Sequence, residues 1–126
     1  MSKKIIKTDQ VSLPIGPYNQ AVTVGHLVYT AGQIPLDKQG HMVPGGIKEQ
    51  TEQVITNLKA LLEAAGSSLD KAVKITVFLK DLNDFAGMNE VYAKHFKAET
   101  APARSTVQVV RLPKDSLVEI EVVAYT

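Results

Sequence analysis

Apolar and polar positions alternate in two distinct rhythms along the chain. In "AVTVGHLVYTAGQ" (residues 21–33) two β-rich runs flank Gly25 and His26, which predicts a hairpin. The next stretch, "IPLDKQGHMVPGG", is a loop with turn residues at 37–40 and 44–46. From Ile47 the rhythm changes: Ile47, Thr51, Val54, Leu58, Leu61 and Ala65 share one helical face, and Gly66 supplies a left-handed stop. "KAVKITVFLK" returns to period two and predicts a strand with Val73, Ile75, Val77 and Leu79 on one side. A second helix is predicted over residues 83–98, where Phe85, Met88, Tyr92 and Phe96 form the buried stripe and Asn89 lies beside it.

"RSTVQVVRL" and "LVEIEVVAY" are predicted to be two strands around the turn "PKDS". The order β-β-α-β-α-β-β, to which a short strand at residues 4–7 would be an addition, predicts a two-layer α+β domain, both helices on one face of a mixed sheet. Alternation in "PARSTVQVV" puts Ser105, Val107 and Val109 towards the core and Arg104, Thr106 and Gln108 on the other face. In the last strand Val118, Ile120, Val122 and Ala124 face the core, leaving Glu119 and Glu121 outside. Paired as a hairpin, these strands would set Arg104 opposite Glu121 and diagonal to Glu119, with Thr106 opposite Glu119.

Three readings of that polar face stand open. It is a solvated face with an ion pair of about 0–1 kcal/mol, a set of interface ion pairs, or a pocket between subunits in which the arginine fork holds a carboxylate. Val110, Val123 and Tyr125 make the face too apolar for open solvent, and both helices are needed on the other side. A second copy of the chain is the expected cover, hence a symmetric oligomer.

Composition narrows the chemistry. A length of 126 residues with 44% apolar residues suits one domain, residues 1–126, with a core that needs no staples. Cysteine is absent, which excludes disulfides, thiolate nucleophiles and thiolate-held metals. His26, His41 and His95 lack ligand spacing and are expected to be structural or solvent-facing, so no metal site is expected. Fourteen basic and thirteen acidic residues, a net charge of +1, disfavour nucleic acid as a partner. No apolar run suits a signal peptide or a membrane span, so a cytoplasmic location is expected, with no membrane partner.

"GPYNQAV" (16–22), "TAGQIP" (30–35), "VFLKDLNDFAGMNEVY" (77–92), "PARSTVQV" (102–109) and "RLPKDSLVEIEVVA" (111–124) run in order over nearly the whole chain. Together they resemble the Rid family, the reactive intermediate deaminases also called the YjgF family, and most closely its RidA branch. The resemblance implies a chorismate-mutase-like fold and a homotrimeric barrel with clefts between subunits. It also implies cofactor-free hydrolysis of small enamine or imine acids, such as 2-aminoacrylate, 2-iminobutanoate and 2-iminopropanoate, to 2-keto acids and ammonia. Under it, Arg104 anchors the substrate carboxylate and Glu119 activates water or shuttles a proton. Tyr18, Asn89, Thr106 and the backbone of Gly32 bind substrate. Thr106 stands where many members have cysteine, and Ala31 where many have serine, which bears on substrate preference and rate.

Some family members have been described as endoribonucleases, inhibitors of translation or regulators acting through protein contacts. An RNase would want a basic groove and an acid–base pair, which the charge balance and the motifs do not offer. A module that only binds small acids would use the same Arg104 without turnover by Glu119.

Overall fold

A computed structural model describes residues 2–126. Its strands are β1 (Lys3–Ile6), β2 (Ala21–Val24), β3 (Leu27–Thr30), β4 (Ala72–Leu79), β5 (Ala103–Gln108) and β6 (Val118–Tyr125), with helices α1 (Ile47–Ala64) and α2 (Phe85–Tyr92). The six strands form one sheet in the order β1-β2-β3-β6-β4-β5. Only β4 and β5 are parallel, joined by α2, so the sheet is mixed. The predicted β2–β3 hairpin is present and turns through Gly25 at φ +59°, a left-handed conformation that glycine adopts without a Cβ clash.

Both helices cover one face of the sheet. Val54, Leu58, Leu61 and Leu62 of α1 share one core with Ile75, Val77 and Leu79 of β4 and Val118, Ile120, Val122 and Ala124 of β6, all fully or nearly fully buried. Helix α1 starts where the Gly46 amide donates to the Glu49 carboxylate at 2.7 Å and ends before Gly66 at φ +81°. Its buried polar positions hold the 34–36 segment: Asn57 Nδ2 donates to the Leu36 carbonyl at 3.0 Å and to that of Ile34 at 3.4 Å.

Several expectations are corrected. Strands β5 and β6 do not form a hairpin, because β4 lies between them, antiparallel to β6 and parallel to β5. This register reverses the faces read from "PARSTVQVV". Arg104 pairs with Ile75 and Thr106 with Val77, so both point to the helix side, whereas Ser105 and Val107 join the open side and Val107 is exposed. In β4 a bulge between Ala72 and Lys74 turns Val73 outward and puts Ala72 in the core instead. The second helix stops at Tyr92 rather than running to residue 98, continuing only as turns. Met88, Tyr92 and Phe96 are buried as expected, but Phe85 is 38% exposed at the edge of the layer.

Candidate functional site

The predicted site residues fall into two groups on opposite faces of the sheet. On the helix side Arg104 leaves the edge strand β5 beneath α2, and its Nη1 donates to Asn89 Oδ1 at 2.7 Å. The guanidinium carbon lies 4.5 Å from the centroid of the Tyr92 ring and 5.5 Å from that of Phe85. Residues 85, 89 and 92 are successive positions of one helical face, so the roughly two turns of α2 supply all three contacts. Gln108 Oε1 accepts from the Leu82 amide at 2.8 Å, tying the far end of β5 to the approach into α2. Among the described residues, Nε and Nη2 of Arg104 make no hydrogen bond. That edge carries two parallel N–H donors spaced for a carboxylate.

The open face carries the second group. Glu119 pairs with Phe78 and Glu121 with Thr76, so their side chains point away from the helices and from Arg104. The segment entering the 34–46 loop is pinned to β6 by Gln33, whose N–H donates to the Ile120 carbonyl at 2.9 Å while Ile120 donates back at 3.1 Å. Gly32 is thereby pressed against Glu119: a Cβ there would lie 2.1 Å from Oε2. Half-burial pushes the Glu119 carboxyl above the ordinary glutamate range, and the like charge of Glu121 pushes it further the same way.

Thr106 lies two residues along β5 from Arg104, on the same side. Tyr18 is half exposed, and its hydroxyl accepts from the Ile15 amide at 3.4 Å, folding the 15–18 loop on itself. The structure therefore unites Arg104 with Asn89 and Thr106, and Glu119 with Gly32, but separates Arg104 from Glu119, against the shared face expected from the hairpin. Sequence reasoning placed Phe85 and Tyr92 in the core and missed their contact with Arg104. The signal was available in the spacing of Asn89 from both. Two cavities of about 480 and 470 Å³ open on the helical side, around His95 and around Glu52, and neither is lined by Arg104 or Glu119.

The open face is also apolar. Leu27, Tyr29, Tyr125 and Val107, each 38–45% exposed, lie on it with Glu119 and Glu121. No helix among the described residues is long and apolar enough to cross a membrane.

The two-layer α+β domain thus carries an arginine edge without hydrogen bonds among the described residues on one side and a half-buried carboxylate on the other. The chain belongs to the Endoribonuclease L-PSP family, the Rid or YjgF family of the resemblance, whose model matches residues 9–126. It is 57% identical over 126 residues to a RutC family protein of Pyrococcus abyssi, covering 99% of this chain and 98% of the relative. It is 48% identical over 124 residues to TdcF of Escherichia coli strain K12, covering 97% and 96%, a protein whose name assigns it provisionally to the reactive intermediate deaminases. The solved structure of Escherichia coli TdcF with bound serine superposes with a TM-score of 0.91 at 46% identity, covering 98% of each chain. That of RidA from an Antarctic Psychrobacter superposes with a TM-score of 0.92 at 46% identity, covering 98% and 99%. The fold is thus that of the Rid proteins.

Proposed function

We propose that this chain is a cytoplasmic, cofactor-free deaminase that hydrolyses 2-imino acids to 2-keto acids and ammonia. Its substrates are the tautomers of 2-aminoacrylate, namely 2-iminopropanoate, and the homologous 2-iminobutanoate. The names of TdcF and RidA relatives support the reaction class, and TdcF with bound serine supports a small amino-acid-like ligand. The observation that carries the reading is the free Nε–Nη2 edge of Arg104 on a guanidinium already held by Asn89. It fits a substrate carboxylate side-on and so fixes the adjacent C2.

Glu119 is the base. Its raised pKa makes the carboxylate a stronger proton acceptor than an ordinary glutamate. Water adds to C2 of the imine as Glu119 takes a proton from it. Glu119 passes that proton to nitrogen to give the neutral carbinolamine, then carries the hydroxyl proton to nitrogen as C2–O becomes a carbonyl, C–N breaks and ammonia leaves, which returns Glu119 to its starting state. Tyr18 and Thr106 flank the ligand, and the Gly32 backbone, packed against Glu119, lies along it.

Since Arg104 and Glu119 lie on opposite faces, one chain cannot bring them to one substrate. The cleft is completed by a neighbour in a homotrimer, Arg104 from one copy and Glu119 from the next. The trimer number rests on the family resemblance. The shared cleft has a direct test. Arg104→Ala and Glu119→Gln are each inactive alone in 2-keto acid release from imines generated by an amino-acid oxidase. Co-refolding equal amounts restores about one quarter of wild-type activity, because random mixing gives that fraction of clefts both intact residues. Refolded mixtures as inactive as the parents would show that the residues act within one chain or not at all.

A further inference from the structure

Tyr92 is 7% exposed, yet its hydroxyl has no hydrogen-bond partner among the described residues. A buried phenol without a partner is uncommon. What the side chain does contact is functional. Phe96 stacks on it with ring centroids 4.4 Å apart and planes inclined by 27°, and the Arg104 guanidinium lies over the same ring. Phe85 stands beside the guanidinium from the start of the helix, and Asn89 fixes one nitrogen between them. Desolvation raises the Tyr92 phenol, while the arginine's charge and its N–H groups near the hydroxyl oppose that shift, so the two groups are in electrostatic contact.

We propose that Tyr92, with Phe85, is a positioning residue for ligand binding: the two rings and Asn89 form a cage on α2 that locks the Arg104 guanidinium with its Nε–Nη2 edge outward. This rests on Arg104 being the carboxylate anchor of the proposed deaminase. The strand alone leaves the long arginine side chain free to rotate about several bonds. The cage removes that freedom before the ligand arrives, so less conformational entropy is lost on binding. The aromatic face, and not the hydroxyl, is the working part: the guanidinium carbon lies 4.5 Å from the ring centroid, and no hydrogen bond of good geometry joins the hydroxyl to it.

The test reads Arg104 directly. In ¹⁵N-labelled protein the Arg104 Nε–Hε resonance, assigned by its loss in Arg104→Lys, is expected upfield of other arginines through the ring currents. Tyr92→Leu returns it towards the ordinary position, and Tyr92→Phe keeps it. Phe85→Leu, at an exposed position that the fold tolerates, gives a smaller shift. Calorimetric affinity for 2-oxobutanoate then falls by about tenfold in Tyr92→Leu and by about threefold in Phe85→Leu, as loss of cation–π contacts implies. The conservative Tyr92→Phe stays within about twofold of wild type on the same scale. An unshifted Arg104 resonance in the wild type, or one unmoved by Tyr92→Leu, overturns the cage. So does a Tyr92→Phe variant as weak as Tyr92→Leu, because the hydroxyl would then be the operative group. If the wild type binds no 2-keto acid the deaminase reading falls, whereas the cage stands or falls on the resonance alone.

Discussion

Gly32 offers a substitution that disturbs the proposed base without touching the fold. Its φ lies outside the left-handed region, so alanine needs no change of backbone. The added Cβ would sit 2.1 Å from Glu119 Oε2, 2.8 Å from Cδ and 3.0 Å from Cγ. Restoring an ordinary contact of about 3.5 Å moves that oxygen by roughly 1.4 Å. The clash falls on the far end of a flexible side chain, so relief costs about 0.5–1.5 kcal/mol of rotamer strain. Loss of glycine's unfolded-state entropy returns about 0.4–1 kcal/mol. Net stability is therefore nearly unchanged. Activity is not: a displacement of this size at a reacting group costs about 10²-fold, or about 2.7 kcal/mol of barrier. The expected result for Gly32→Ala is a kcat lower by about two orders of magnitude at an unchanged melting temperature, with 2-oxobutanoate affinity mostly retained because Arg104 is untouched. In a Glu119→Gln background the same change should add little, since both remove one function. A folded Gly32→Ala protein with wild-type kcat, or full additivity in the double variant, would refute the assignment of Glu119.

Glu121→Gln removes the like charge that helps raise Glu119, so the acidic limb of the rate profile should move to lower pH in low salt and move less in high salt; a shift to higher pH contradicts the assignment. The raised Glu119 pKa also has a stability consequence. Folding favours its protonated form, so this contribution is present below the unfolded pKa and lost as pH rises through the folded value. Glu119→Gln should therefore melt higher than wild type at pH 8, and the gain should vanish near the unfolded glutamate pKa of about 4.3. Thr51 has a fully buried hydroxyl without a partner among the described residues, and Thr51→Val should leave urea stability unchanged or raise it by up to about 1 kcal/mol; a loss above about 2 kcal/mol would mean the hydroxyl is satisfied after all. Leu27→Asp puts a charge on the apolar open face, and should weaken self-association by at least about tenfold in sedimentation. An oligomer unaffected by it would place the interface elsewhere.

The core was legible because its periodicity was strong. Even positions of β6 and the 3.6-residue stripe of α1 each commit several large apolar side chains to one face, and the sheet has no other way to bury them. β5 gave no such commitment. "ARSTVQ" contains a single large apolar residue, and that residue, Val107, faces outward. Its orientation is set from outside the strand, by the parallel register on β4 and by Asn89 and Leu82 reaching Arg104 and Gln108. Adjacent strands in sequence pair often, but the 109–117 connection passes beyond β4, and nothing in the turn "PKDS" reports how far it travels. Val73 misled for a related reason: a bulge shifts the alternation by one residue without a glycine or proline to mark it. Site membership could be read from motif resemblance, whereas site geometry could not, because a strand's facing is a tertiary property.

That inversion of β5 changes what an oligomer is for. With Arg104 and Glu119 on one face, a neighbouring copy would merely cover a finished site. With them on opposite faces, the arginine sits under a helix at the free edge of the sheet, while the carboxylate sits in an inner strand amid exposed apolar side chains. The side chains that need covering and the proposed base share one surface. On the proposed reading, the edge that reaches it belongs to another copy. Burying Leu27, Tyr29 and Tyr125 would then supply the association energy that brings two half-sites together. The caged guanidinium keeps each half ready beforehand, so assembly does not also have to order the long arginine side chain.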